Sequence, residues 1–187
     1  KGALRHHLWY VGENDSAKDA LWSKKLDWIF GPGSEEDEAR PQDHAGAVAF
    51  GDGRLLLFPV RSLVGTFAYC TSAVALGRLR RDLDLTGIQA GWTPPAAPGD
   101  GRALAVRGSR VAANGKAALE DFDLAVEEAE GVSGIASWIA DAALPAGPAF
   151  AHFRDRIRTH LVVLSDELFS HLTRLATVVE PHVKIDD

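Results

Sequence analysis

Two short apolar runs, residues 55–58 and 161–164, constrain the fold of this chain more than any other feature. Each is too short for a helix of ordinary length, and neither alternates polar with apolar as a half-buried strand would. Residues 55–58 are therefore expected to form a strand covered on both faces, and residues 161–164 a short buried strand. Strands of that kind need helices packed over a sheet, which points to a mixed α/β architecture. With 187 residues, 46% of them hydrophobic, the chain suits one compact domain.

The remaining pattern alternates irregularly between helix and strand. Leu4, Leu8 and Val11 are spaced for a helix over 1–11. A second helix is expected from Ser16, which forms a variant capping box with Asp19, and it carries a stripe of Trp22, Leu26 and Ile29. An acidic, solvated loop runs to His44. Residues 45–50 and 54–60 then read as strands around Gly51-Asp52-Gly53, a hairpin signal.

Residues 65–71 suit a strand, followed by a helix with Leu76, Leu79 and Leu83 facing inward. The proline- and glycine-rich stretch 87–115 is expected to be an irregular insertion with at most a short strand over 103–106. Residues 118–126 suit a strand, 132–143 a helix centred on Trp138, and Phe150, Phe153 and Ile157 one more helix. Ser165 should cap a brief helix with Asp166 and Glu167 in its first turn. Residues 173–180 and 182–186 alternate as strands would. Because the chain opens inside a helical pattern and closes on a strand-like run, both ends are expected to be truncated.

Composition narrows the function. Cys70 is the only cysteine, so a disulfide within the chain and a cysteine-based zinc site are excluded, and a reducing compartment is expected. No apolar run approaches the ~20 residues of a membrane-spanning helix. Twenty basic against 26 acidic residues give a net charge of −6, the opposite of a general nucleic-acid coat. A nucleic-acid partner would require positive charge gathered locally.

The chemistry-bearing residues form no familiar catalytic set. His6 and His7 are adjacent, which turns their rings to different sides of a helix, and His152 and His160 are eight apart with no helpful carboxylate. Asp43-His44 is explained by its acidic loop. Cys70 lies in a strand pattern, where a small buried thiol is the ordinary case. Gly51-Asp52-Gly53 leads into a strand, whereas a phosphate-binding loop leads into a helix. No catalytic or metal-ligating residue is assigned. Basic residues are more suggestive: Lys1 and Arg5 sit on one end of the first helix, and Arg61-Ser62 ends a strand where a cation and a hydroxyl can be held for phosphate oxygens. The clusters Arg78, Arg80, Arg81 and Arg154, Arg156, Arg158 read by default as solvated helix faces.

Taken in order, these segments resemble a known family. Lys1-Gly2-Ala3-Leu4-Arg5 resembles the KGxxR segment of the RAMP superfamily of CRISPR proteins, and Phe30-Gly31-Pro32 follows at the expected distance. Residues 45–63, ending in Phe58-Pro59-Val60-Arg61-Ser62-Leu63, are similar to a hallmark of one subgroup, the repeated backbone subunit of the type III-B (Cmr) complex. Gly65-Thr66-Phe67-Ala68-Tyr69, Arg80-Arg81-Asp82-Leu83, residues 162–169 and Val183-Lys184-Ile185-Asp186 continue the likeness, which covers nearly all of the chain except 87–115.

The resemblance implies a single partial RAMP domain over 1–187, with an RRM-like (ferredoxin-like) core carrying helical insertions. It implies a cytoplasmic, guide-RNA-binding subunit that stacks with copies of itself and other Cmr subunits along guide and target RNA. Lys1, Gly2, Arg5, Arg61, Ser62, His182, Lys184 and Ile185 are the RNA-contacting candidates, the last three where a thumb hairpin should begin. In the intact protein a divalent metal is expected to support target-RNA cleavage, by an aspartate on a loop that would precede Lys1. Two other readings stand beside this one. A precursor-RNA processing endoribonuclease would use His6, His7 and His44, and a structural assembly module would touch no RNA.

Overall fold

The computed structural model describes residues 2–12, 19–31 and 45–176. Lys1, Ser16, His44, His182, Lys184 and Ile185, the acidic loop and the strand expectations beyond residue 176 lie outside the described residues. Among those described, no helix is long and apolar enough to cross a membrane. The chain divides into two compact units, Lys1–Arg54 and Leu55–Asp187.

In the first unit, helix α1 (Gly2–Gly12) and helix α2 (Asp19–Phe30) are joined by a side chain. Arg5 donates from Nη1 to the Gly31 carbonyl at 2.6 Å and from Nη2 to Asp27 Oδ1 at 2.5 Å. Helix α2 ends at Gly31, whose φ of 83° and N–H bond to Asp27 O make a left-handed cap.

Residues 45–50, expected as a strand, form none. Their N–H groups instead reach the last carbonyls of α2: Ala47 N to Trp28 O at 2.8 Å and Val48 N to Ile29 O at 3.0 Å. A helix end leaves such carbonyls without partners, so capping competes with hairpin formation and here displaces it. Gly46 permits the approach, because a Cβ there would collide with backbone atoms of Ile29, Phe30 and Gly31. Phe50 stacks on Phe30 with ring centroids 6.0 Å apart.

The second unit is built on six strands: β1 (Phe58–Ser62), β2 (Thr66–Ser72), β3 (Arg102–Ala105), β4 (Lys116–Leu119), β5 (Phe122–Glu128) and β6 (Leu161–Leu164). Between them lie α3 (Ala73–Leu85), α4 (Glu130–Ala143) and α5 (Ala151–His160), and α6 (Asp166–Leu175) follows. The strands close into a ring in the order β1-β2-β6-β3-β5-β4. Two of the ladders, β2 with β6 and β3 with β5, are parallel, and the others are antiparallel. The mixed α/β class expected from sequence is present. The described strands form a closed ring, because β1 and β4 pair at Ser62 and Leu119.

Strand periodicity divides the core in two. One face gathers Val60, Ala68, Cys70, Ala103, Ala105, Ala117, Leu119, Leu124, Val162 and Leu164, all buried together. Alanines dominate where the ring is closed, since a six-stranded interior has little room for larger side chains. The opposite face, including Leu161 and Val163, packs under α3, α4 and α5 through Leu76, Val132, Ile135, Ile139 and Ile157. Thus β6 is buried on both faces along its whole length.

The other run behaves differently. Residues 55–57 precede β1 and are not in a strand; Leu56 and Leu57 pack on the helical cluster, but Leu55 is half exposed. Residues 87–115, expected as an insertion, supply β3 and bury Ala90, Trp92, Val106 and Val111. The strand expected over 118–126 is instead a hairpin, β4 and β5, turning at Glu120-Asp121. Ser165 caps α6 as expected, its Oγ accepting from Leu168 N at 3.2 Å.

Candidate nucleic-acid interface

Arg61 and Ser62 form the end of β1 at the point where the ring closes. Ser62 pairs on one side with Thr66 of β2 and on the other with Leu119 of β4. Around that single pair the backbone adds two bonds, Leu63 N to Ala118 O at 3.1 Å and Glu120 N to Arg61 O at 3.0 Å. The Ser62 side chain is buried, and its Oγ has no hydrogen-bond partner among the described residues. An unpaired buried hydroxyl carries a desolvation cost, so it marks the position as unusual.

Arg61 points the other way along the alternation, and its side chain is 85% exposed. Its Nε lies 3.0 Å from both Glu120 carboxylate oxygens, and Nη2 donates to Oε2 at 2.5 Å. The Arg61 backbone N–H also donates to Oε1, at 3.3 Å. The guanidinium bond holds the Glu120 carboxyl below the usual carboxylate range, and the same contact raises Arg61. Arg61, Ser62, Leu63, Glu120 and Asp121 line a shallow depression of about 310 Å³.

Two turns with uncommon backbone geometry flank this depression. Thr66, Asn114 and Glu120 are the non-glycine residues with positive φ among those described, and Thr66 and Glu120 lie at the seam. Thr66 has φ 74°, and Phe67 N donates to Gly65 O across it at 2.9 Å, the bond pattern of a γ-turn of the rare, strained hand. The strain is held from outside the turn. Arg156 donates from Nη1 to Gly65 O at 3.0 Å and lays its guanidinium 5.0 Å from the centre of the Phe67 ring. Gly65 has φ 78°, and a Cβ there would come within 2.5 Å of the Arg110 carbonyl oxygen. Strained backbone collects at functional sites because the surrounding structure must over-determine it.

His160 completes the support. It is buried, with Nε2 3.1 Å from Arg156 Nη1 and Nδ1 2.8 Å from Thr159 Oγ1. Burial lowers its pKa below the ordinary histidine value, and the charges of Arg156 and Arg110 lower it further. The imidazole is therefore a neutral packing and hydrogen-bonding group. Cys70 is fully buried, and burial pushes its thiol far up, as expected for a structural cysteine.

The sequence candidates are thus brought together only in part. Arg61 and Ser62 adjoin one another at the seam, whereas Arg5 and Gly2 belong to α1 in the first unit. The Arg5 guanidinium is engaged by Asp27 and Gly31, a tie between α1 and α2 that sequence spacing did not show. Several arginines read as solvated faces are staples as well. Arg80 bonds Asp84 and the Trp92 carbonyl, Arg158 bonds Asp141, and Arg154 bonds the Pro145 carbonyl. Glu120 was missed altogether, because it lay inside the run 118–126 expected as a single strand, whereas it sits in the turn between β4 and β5. Among the described residues no three His, Cys, Asp or Glu side chains gather closely enough to hold a metal ion.

The ring thus closes through the Ser62–Leu119 pair, with the Arg61–Glu120 contact beside it. The sequence matches the RAMP superfamily over residues 1–187, and the chain belongs to that family. More particularly, it is 30% identical over 187 residues to the CRISPR system Cmr endoribonuclease Cmr4 of Pyrococcus furiosus. That match covers the whole of this chain and 57% of the relative, so the chain spans little more than half of the relative's length. The crystal structure of oligomeric Cmr4 from Pyrococcus furiosus superposes with a TM-score of 0.69 and 30% identity, covering 95% of this chain and 60% of that one. The cryo-EM structure of the Type III-B Cmr-beta bound to cognate target RNA is similar at TM-score 0.51 and 15% identity, over 92% of this chain and 54% of that one. The last shows likeness of fold alone. The resemblance to a Cmr subunit expected from sequence is borne out.

Proposed function

We propose that this chain is part of a guide-RNA-binding backbone subunit of a type III-B CRISPR effector complex, assembled in the cytoplasm with copies of itself and other Cmr subunits. The observation that carries the reading is the 30% identity to Cmr4 along all 187 residues, supported by the overlay on a Cmr4 described as oligomeric. Guide and target RNA are the proposed ligands, and target cleavage with a divalent metal is proposed for the intact protein only. An RRM-like core and a thumb beginning near His182, Lys184 and Ile185 belong to the same proposal, as do backbone contacts by Lys1, Gly2 and Arg5.

Arg61 and Ser62 are the proposed RNA contact of the second unit. The acidic total is no obstacle, because RNA held by backbone and shape requires only one groove to be positive and not the whole surface. One observation favours the alternative of a structural module. Both Arg5 and Arg61 are engaged by carboxylates, as they would be if they only held the fold together.

Salt dependence separates the two readings. Filter binding of the full chain to a single-stranded guide RNA should give an affinity that falls with salt, with a slope of about −0.7 per phosphate neutralised. Arg61→Ala and Arg5→Ala should each weaken binding and flatten that slope. An affinity and slope identical to the parent chain in both variants would leave only the structural module. Specific cutting of a repeat-containing transcript by the isolated chain would instead favour the processing endoribonuclease.

A further inference from the structure

The contact between Glu120 and Arg61 has two possible consequences for a phosphate ligand, and they differ in sign. A carboxylate beside a cation can compete with an incoming phosphate, or it can hold the cation in the geometry that the phosphate needs. Which applies depends on which edge of the guanidinium the carboxylate occupies.

An arginine side chain carries five N–H donors arranged as two flat edges, Nε/Nη2 and Nη1/Nη2. Glu120 takes the Nε/Nη2 edge, bonding Nε and one Nη2 donor. Among the described residues nothing engages Nη1, and the side chain remains 85% exposed. The outer edge therefore keeps one Nη1 and one Nη2 N–H side by side, a fork that can donate to two phosphate oxygens. The Glu120 side chain itself is only 14% exposed.

Glu120 is also fixed more firmly than a surface side chain. It donates its backbone N–H to Arg61 O and accepts from Arg61 N, so backbone and side chain address the same residue. Its φ of 50° is a conformation that a side chain-bearing residue rarely adopts, and the β4–β5 turn holds it there. Arg61 itself lines the depression, together with Ser62, Leu63, Glu120 and Asp121.

We propose that Glu120 is a positioning residue that pre-orients the outer Nη1/Nη2 edge of Arg61 to receive an RNA phosphate. This rests on the reading of Arg61 as an RNA contact. The physical gain is that a long, exposed side chain is already ordered, so binding does not have to order it. The cost is repulsion of the phosphate by the Glu120 and Asp121 carboxylates, which water and salt screen around so exposed a guanidinium.

The test is a double-mutant cycle on the full chain: parent, R61A, E120A and R61A/E120A, binding a labelled single-stranded RNA, with folding checked by circular dichroism. E120A should weaken binding about threefold to tenfold, although it removes a negative charge, and in the R61A background it should change nothing further. Equal or tighter binding by E120A would show a competing carboxylate and overturn the proposal while leaving Arg61 as an RNA contact. Equal weakening in both backgrounds would place the effect in the seam's fold and overturn it too. An R61A chain with unchanged affinity and salt slope would remove the RNA reading of the seam itself. If E120A fails to fold, E120Q replaces it in the cycle. Its amide oxygen still accepts from Arg61 N, but its NH2 group meets Nη2 donor to donor, so weaker binding is expected, and equal or tighter binding overturns the proposal.

Discussion

Strand β6 and the β1–β4 seam lie in one ring and hold their partners by opposite means. β6 runs between β2 and β3, sending Leu161 and Val163 into the helical cluster and Val162 and Leu164 into the closed interior. All four are fully buried, and apolar packing secures the strand on both sides. The seam rests on one residue pair, two flanking backbone bonds and a guanidinium–carboxylate fork facing solvent. Burial makes β6 permanent, whereas the seam is made of polar bonds that a polar ligand can extend. A closed ring needs every strand held, and at this weakly buried junction the cation stays 85% exposed.

That contrast is most severely tested at β6. Leu161→Ala and Leu164→Ala should each cost about 2–5 kcal/mol, because neither cluster can collapse around the missing side chain. Chemical denaturation of the full chain measures this, with the midpoint shifted and the slope retained. Glu120→Ala should shift the midpoint far less. A seam variant as damaging as the β6 variants would mean that closure, and not burial, dominates the stability of the ring.

Gly65 sharpens the comparison from the turn that adjoins the seam. Its positive φ and the Arg110 carbonyl leave no place for a Cβ, so Gly65→Ala should cost about 1–3 kcal/mol. The loss should appear in thermal unfolding and also as weaker RNA binding, since the turn carries the end of β1. A Gly65→Ala chain as stable as the parent would show that the turn is not over-determined by its surroundings.

How far these two regions could be read from sequence differs for physical reasons. β6 was legible because four apolar residues between two helix patterns admit few other structures. The cap at Ser165 was legible because capping is local. Residues 55–58 looked like β6, yet Pro59 and the pairing of β1 with β2 start the strand at Phe58 and leave Leu55 outside. The hairpin expected around Gly51-Asp52-Gly53 gave way to capping of α2, a contact between distant residues. Ring closure depends on Ser62 meeting Leu119, which no periodicity encodes. The seam's cation was found from its place at a strand end, and its carboxylate partner was not, because Glu120 is 59 residues away.

Acid should act first through the support of the Gly65 turn. The folded-state pKa of His160 is lowered by burial and by Arg156 and Arg110, so the folded protein binds its proton less readily than the unfolded chain. The stability linked to neutral His160 is present above the ordinary value of 6.5 and is lost as pH falls below it towards the folded pKa. On its own element the groups acting on it are Arg156, Thr159 and Asp155, whose charge opposes the lowering, and from other elements Phe67, Gly65 and Arg110 lie close to it. Denaturation midpoints should therefore decline below that pH, and His160→Asn should flatten the decline whatever its effect on absolute stability. Glu120 follows at more acid pH: its lowered pKa supplies stability above 4.5 that disappears as pH falls through the folded value. An unaltered slope in His160→Asn would transfer the acid sensitivity to other groups.

The smallest effect is expected where the sequence looked most like β6. Leu55 stands at the head of the second apolar run and is 49% exposed. It already meets water in the folded chain, so truncating it removes little that folding had buried. Leu55→Ala should change stability by no more than about 0.5 kcal/mol, against several for Leu161→Ala. The pair of measurements separates apolar sequence from apolar burial at two similar runs in one molecule. A large loss at Leu55 would mean that this leucine is covered in the folded protein, and that the two runs are equivalent after all.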